Sequence, residues 1–194
     1  MKKIILPLIG IFMMVSLVGC GSKTKAENSV KDFFSAYEKM DLKKADEYVE
    51  DGGLLKKSIL KFESYNKNRQ EALKYWSSKI SYKILSSKKD GKEIDVETEV
   101  TALNGTYIYN NYMQNVQSFN FNENTLNGNG LNGDDVGNNF DKAFISALEN
   151  QTTPMSTTKV VVKVKNEDGK WKIQNDKEVL QAILGGLNPE QILD

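Results

Sequence analysis

Tyrosine and carboxylate side chains are the groups of this sequence that could transfer protons. Its 194 residues include no His and one Cys, which removes the usual acid/base residue near neutral pH and the usual zinc ligands. Burial raises the pKa of a carboxyl group, so Tyr37 or Tyr48 beside a buried acid could form a catalytic pair. Both tyrosines, however, lie on helical stripes where an aromatic ring commonly fills core volume. We therefore predict no catalytic residue and no enzyme, with a Tyr/carboxylate site as the lesser alternative.

An Asn- and Gly-rich stretch within residues 104–139 offers oxygen ligands at alternate positions. Calcium requires about six to eight oxygens with several carboxylates, whereas this stretch is mostly neutral amides and lacks the EF-hand pattern. Its four Asn-Gly pairs, the first being Asn104-Gly105, favour turns because both residues tolerate positive φ. We expect a solvated loop here, and we predict no metal and no cofactor.

The charge composition is balanced, with 26 basic and 26 acidic residues and an isoelectric point near 6.4. Binding to nucleic acid draws on a basic excess that releases counterions from the phosphate backbone. We therefore expect no nucleic-acid partner.

Aromatic residues at helical spacing are the candidates for a ligand pocket. Phe34, Tyr37, Tyr48 and Trp76 are the residues that we assign to its lining. The same spacing is typical of core residues, which is the more common role. The sequence alone leaves both roles open.

The first 19 residues have the pattern of a signal peptide. Lys2 and Lys3 precede an apolar run that ends at Val18 and is shorter than the roughly 20 residues needed to span a bilayer. The run leads into Leu17-Val18-Gly19-Cys20, which resembles the lipobox of bacterial lipoproteins. The resemblance implies that Cys20 receives a thioether-linked diacylglycerol and becomes the first residue of the mature chain. Two acyl chains anchor a protein stably, so the membrane is the predicted partner of Cys20.

The use of basic residues bears on location. Of the 26 basic residues only Arg69 is Arg, and Asn is frequent, a bias typical of low-GC Gram-positive bacteria. In such a cell a lipoprotein lies on the extracellular face of the cell membrane, and we expect that location.

Helical periodicity dominates the first part of the mature chain. Residues 20–28 are small and polar and predict a flexible tether behind the lipidated Cys20. A helix is predicted to begin with Ser29 as its N-cap, and a short second helix follows from Asp41. A third helical region covers residues 54–76, with a break at Tyr65–Asn68.

The period then changes from 3.6 to 2, which predicts two hairpins. Residues 80–102 turn at Lys89–Lys92, and residues 159–173 turn at Glu167–Lys170. A helical insertion at about 105–150 separates the hairpins. A last short helix is predicted to end at Gly185-Gly186. This order predicts an α+β fold in which N-terminal helices pack on a curved antiparallel sheet, as a single domain over residues 29–194.

Two segments resemble the nuclear-transport-factor-two-like cone fold. The helical segments Ser29–Tyr37 and Met40–Ala45 look like its opening, and Asp168–Ile173 is similar to its closing hairpin. With the lipobox, they resemble a group of Gram-positive lipoproteins. The resemblance implies an apolar cavity between the sheet and the first helices.

These patterns predict a non-enzymatic, lipid-anchored surface lipoprotein. It would bind either a small apolar ligand in an interior cavity or a protein of the cell envelope. A pure interaction module without a cavity is the alternative.

Overall fold

The computed structural model describes residues 15–120, 133–174 and 176–193 of the chain. Helices precede an antiparallel sheet, so the predicted α+β class is confirmed. The elements in chain order are α1 (Val15–Glu38), α2 (Leu42–Asp46), α3 (Leu54–Glu63), α4 (Lys67–Ser77), β1 (Ser81–Asp90), β2 (Glu93–Leu103), α5 (Gly105–Asn120), α6 (Gly133–Leu148), β3 (Met155–Glu167), β4 (Lys170–Ile173), α7 (Asp176–Ile183) and α8 (Glu190–Leu193).

The sheet has the order β1-β2-β3-β4 with antiparallel neighbours, and both predicted hairpins are present. Gly91 and Gly169 sit in the two turns at φ of 58° and 87°, a region that a residue without a Cβ enters at little cost. Alternate residues of β2 from Ile94 to Ala102 are buried, as the period of two predicts. One face of the sheet therefore forms the floor of the core, and α1 and α7 pack in contact with the sheet.

Helix α1 differs from the prediction at its N-terminal side. Residues 21–28 continue the helix instead of forming a flexible tether, and Ser29 is an interior helical residue rather than an N-cap. Ala26 lies one turn before Val30 on the same face, and both are fully buried. Extending an existing helix adds one hydrogen bond per residue without a new nucleus, and this apolar contact supports the extension.

The predicted lipidation signal, which ends at Cys20, lies at the N-terminal edge of the described residues. Residues 1–14 of the predicted signal peptide lie outside the described residues, and Cys20 is placed only as part of the α1 backbone. Among the helices in the described ranges, none has the length and apolar character needed to cross a membrane.

The helical region before the sheet breaks where the sequence predicts. Helix α3 ends at Glu63, and α4 starts after Asn66, whose side chain accepts a hydrogen bond from the Arg69 amide at 3.0 Å. The predicted helical insertion is also present, as α5 and α6, which pack against each other. Most of its Asn/Gly stretch, residues 121–132, lies outside the described residues.

Candidate ligand-binding site

A cleft of about 200 Å³ opens among the helices that flank the sheet domain. Its wall is mostly apolar and contains six aromatic rings, and we call it the aromatic pocket. It is lined by Phe62, Tyr65, Arg69, Leu73, Trp76, Ile108, Tyr109, Tyr112, Phe144, Leu148, Leu187, Gln191 and Ile192.

Helix α4 supplies one wall. Arg69, Leu73 and Trp76 follow one another at spacings of four and three, which places them on a single helical face. The Asn66 cap fixes the start of this helix. This local hydrogen bond therefore helps to set which residues of α4 face the pocket.

The opposite wall comes from the insertion. Ile108, Tyr109 and Tyr112 project from α5, and Phe144 and Leu148 project from α6, which also packs against α4. The rings of Tyr112 and Phe144 meet edge to face, with centroids 6.2 Å apart and an interplanar angle of 89°. This geometry joins α5 to α6 at the pocket wall.

Two glycines hold the pocket end of α5 against the chain that follows α7. Gly105 donates its amide hydrogen to the Gly185 carbonyl at 3.3 Å. A Cβ on Gly105 would lie 1.9 Å from the Leu184 carbonyl oxygen and 2.9 Å from Leu187 Cβ. A Cβ on Gly185, whose φ is 59°, would lie 1.9 Å from the Leu103 carbonyl oxygen. Only residues without a side chain allow this approach, which brings Leu187 and α8 to the pocket.

Arg69 is the charged residue of the lining. Its Nε donates to Asp141 Oδ1, and Asn66 Nδ2 donates to Asp141 Oδ2 at 2.6 Å. The Arg69 guanidinium carbon lies 5.3 Å from the Tyr65 ring centroid and 5.9 Å from that of Phe144. Cation–π attraction and the ion pair together hold the guanidinium at the pocket.

The tyrosines beside Arg69 stay protonated near neutral pH. Burial raises the pKa of Tyr65 and of Tyr112, and the positive charge of Arg69 offsets part of each rise. Both hydroxyls can therefore donate hydrogen bonds, and neither is suited to act as a base.

The four predicted lining residues separate in the structure. Trp76 lines the aromatic pocket. Phe34 is instead fully buried in the core and stacks on Tyr82 with ring centroids 5.1 Å apart. Tyr37 is buried beside a void of about 10 Å³, too small for a ligand. A ligand cavity between the sheet and the first helix was expected, and this expectation is corrected. The rings of α1 pack tightly onto the sheet instead.

Tyr48 is partly buried at the edge of the core, and its hydroxyl donates to Asp32 Oδ2 at 3.4 Å. Burial, together with the negative charges of Asp32 and Glu47, raises the Tyr48 pKa, so its phenol is protonated near neutral pH. The pair lies outside the aromatic pocket. In the described ranges no cluster of three or more potential metal ligands occurs.

Arg69 and Asp141 are site residues that were not predicted from the sequence. They are 72 positions apart, and nothing in the sequence pairs them. The composition held the one signal that could have pointed to Arg69, because it is the only Arg among 26 basic residues. Its planar fork and aromatic stacking distinguish it from the lysines.

Comparison with known proteins gives a partial likeness to a solved structure. No protein-family model and no curated protein matches this sequence. Among solved structures, the chain is similar to the crystal structure of ycdA from Bacillus subtilis, provisionally described as a lipoprotein. The TM-score is 0.42 at 13% identity, and the match covers 62% of this chain and 38% of the Bacillus chain. At this identity and TM-score, the likeness assigns no activity, ligand or anchor.

Proposed function

We propose that this chain is a lipid-anchored surface lipoprotein that binds a small, largely apolar ligand in the aromatic pocket. The observation that carries the proposal is the cleft of about 200 Å³ with six aromatic rings in its wall. Concave, mostly apolar sites with a few polar groups are the usual form of small-molecule sites. Its volume lies below the roughly 300–1,000 Å³ typical of drug-sized ligands, which favours a ligand with about one ring.

The lining also favours binding over catalysis. Its polar groups belong to Arg69, Gln191, the Trp76 indole N–H and three tyrosines, and of these Tyr65 and Tyr112 have raised pKa values. An enzyme needs a group that gains or loses a proton near the working pH or a nucleophile activated by a base. We propose a non-enzymatic role on this basis.

The proposed anchor is a diacylglycerol on Cys20, which would hold the domain on the extracellular face of a Gram-positive cell membrane. Its support is the lipobox-like Leu17-Val18-Gly19-Cys20 sequence behind an apolar leader. Helix α1 runs from this segment directly into the core, where Val30 and Phe33 are fully buried. Anchor and domain would therefore be joined by a helix.

The pocket is tested with ethylbenzene, a neutral apolar probe, observed by saturation-transfer NMR on the full chain carrying Cys20→Ser. We expect binding that Ile192→Trp abolishes, because Ile192 is half-buried in the pocket lining and an indole there would occupy the cleft. The matched control is Leu60→Trp, since Leu60 is 55% exposed and lies outside the lining. Equal binding by both variants would overturn the pocket assignment. Absence of binding in the unmodified pocket would favour the interaction module with an envelope protein.

The anchor is tested in cells by metabolic labelling with an alkyne palmitate analogue. We expect label on the unaltered chain and none on Cys20→Ser. Labelling that persists in Cys20→Ser would overturn the lipidation proposal.

A further inference from the structure

We propose that the ligand of the aromatic pocket is a small carboxylic acid whose carboxylate pairs with Arg69 while its apolar body lies against the aromatic wall. This inference rests on the proposed binding function and names the chemical class of the ligand. It is carried by the juxtaposition of one guanidinium with an otherwise uncharged cleft.

The Arg69 guanidinium has more hydrogen-bond donors than its bond to Asp141 uses. Of its five N–H groups, the one on Nε is used by Asp141. Among the described residues, the hydrogen bond of the Arg69 side chain is the one from Nε to Asp141 Oδ1. A guanidinium that gives one edge to one carboxylate can give its other edge to a second.

The position of this cation is fixed before a ligand arrives. Asn66 holds the second oxygen of Asp141, and the rings of Tyr65 and Phe144 lie within 6 Å of the guanidinium carbon. Binding therefore requires little further ordering of the Arg69 side chain. The entropy lost in ordering a long flexible cation is otherwise the main cost of using one.

The same arrangement disfavours a cationic ligand, although aromatic walls often bind ammonium groups. Arg69 would repel it, and both oxygens of the nearby carboxylate are already occupied, by Arg69 and by Asn66. Asp141 itself is not part of the lining. Charge complementarity thus selects an anion among small apolar molecules.

The test compares three probes of matched size by isothermal titration calorimetry near pH 7: 3-phenylpropionate, 3-phenylpropionamide and 3-phenylpropylamine. With the full chain carrying Cys20→Ser, we expect the carboxylate to bind about ten-fold more tightly than the amide and the amine to bind most weakly. The gain is modest because the Arg69 side chain is 31% exposed.

Variants assign the preference to Arg69. Arg69→Gln should remove the roughly ten-fold preference for the carboxylate over the amide. Lys67→Gln is the matched control, because it removes a cation from the same helix at a side chain that is 87% exposed and outside the lining. The comparison of the three probes on the unaltered pocket does not depend on Arg69→Gln folding well.

The outcomes separate the ligand class from the binding function. If the amide or amine binds as tightly as the carboxylate, or if Arg69→Gln keeps the preference, the carboxylate assignment is wrong while the pocket stands. If ethylbenzene binds and 3-phenylpropionate does not, the same conclusion holds. If ethylbenzene and all three probes fail to bind, the proposed function falls and this inference falls with it.

Discussion

Phe34 and Phe144 are both phenylalanines on helices with an apolar face, yet the structure uses them in different ways. Phe34 on α1 is fully buried, stacks on Tyr82 and contacts Phe33 edge to face at 5.3 Å. Phe144 on α6 is half-buried, and its ring faces Tyr112 and the Arg69 guanidinium at the pocket. The difference lies in what each helix packs against.

Helix α1 packs on the sheet, where Val30, Phe33 and Phe34 are fully buried against the buried residues of β2 and β3. The pocket helices instead meet one another, and they leave a cleft between α4 and the pair α5 and α6. A ring over a sheet fills volume, whereas a ring between diverging helices lines a space. Aromatic residues of one type therefore give a core in one region and a candidate site in the other.

The largest expected effect compares the two phenylalanines by the same truncation. Phe34→Ala should lower the free energy of unfolding by about 3–5 kcal/mol, since it opens a cavity in a filled core. Phe144→Ala should cost about 1 kcal/mol, because the ring is only partly buried and borders open space. Chemical denaturation followed by circular dichroism measures both. Equal losses would show that the pocket wall is core.

The next effect concerns the junction between the regions. Gly105→Ala should cost about 2–3 kcal/mol and weaken ethylbenzene binding, because its Cβ would meet the Leu184 carbonyl oxygen at 1.9 Å and force the backbone apart. Gly21→Ala is the control, as its Cβ would have no neighbour within 4 Å. In a helix that change should stabilise by about 0.5–1 kcal/mol. An unchanged free energy of unfolding in Gly105→Ala would contradict the close approach of Gly105 to the Leu184 carbonyl.

A smaller effect tests the bond between α1 and the last strand of the sheet. Ser29 is buried, and its Oγ donates to the Trp171 carbonyl oxygen at 2.6 Å. Ser29→Ala should cost about 1 kcal/mol in the free energy of unfolding. Ser78→Ala removes an exposed hydroxyl that donates to the Tyr75 carbonyl and should change stability by less than about 0.5 kcal/mol. A loss for Ser29→Ala no larger than that for Ser78→Ala would contradict the bond to the Trp171 carbonyl.

The smallest effect near neutral pH concerns Tyr37. The Tyr37 hydroxyl is buried with the Ser58 side chain beside it, and it makes no well-formed hydrogen bond among the described residues, so Tyr37→Phe should change the free energy of unfolding by less than about 0.5 kcal/mol near pH 7. Tyr82→Phe is the control and should cost about 1 kcal/mol, because that hydroxyl donates to the Lys31 carbonyl at 3.1 Å.

Alkaline pH should reveal Tyr37. Burial raises its pKa above the value of about 10 in the unfolded chain, so its contribution is present below pH 10 and is lost as the pH rises toward the folded pKa. Above pH 10 the free energy of unfolding should fall less steeply in Tyr37→Phe, by up to about 1.4 kcal/mol per pH unit. Parallel curves for the two proteins would contradict the burial of this phenol.

Local patterns predicted most of the secondary structure. The break before α4 follows from Asn66, the hairpin turns follow from Gly91 and Gly169, and the α+β class follows from the change of period after Trp76. The start of α1 was not predicted, because its extension depends on burying Ala26 against other elements. Ser29 is a residue type that commonly caps helices, but its hydroxyl donates to a carbonyl oxygen 142 residues away.

The sequence by itself determined the order of helices and strands, since periodicity, caps and turns act over a few residues. Tertiary structure alone decided which aromatic rings fill the core and which line a cleft. It also decided that Arg69 pairs with Asp141 and that Gly105 meets Gly185. These pairings depend on how separate helices cross, and the physical reason is that packing joins residues that are distant in the chain and that no local pattern relates.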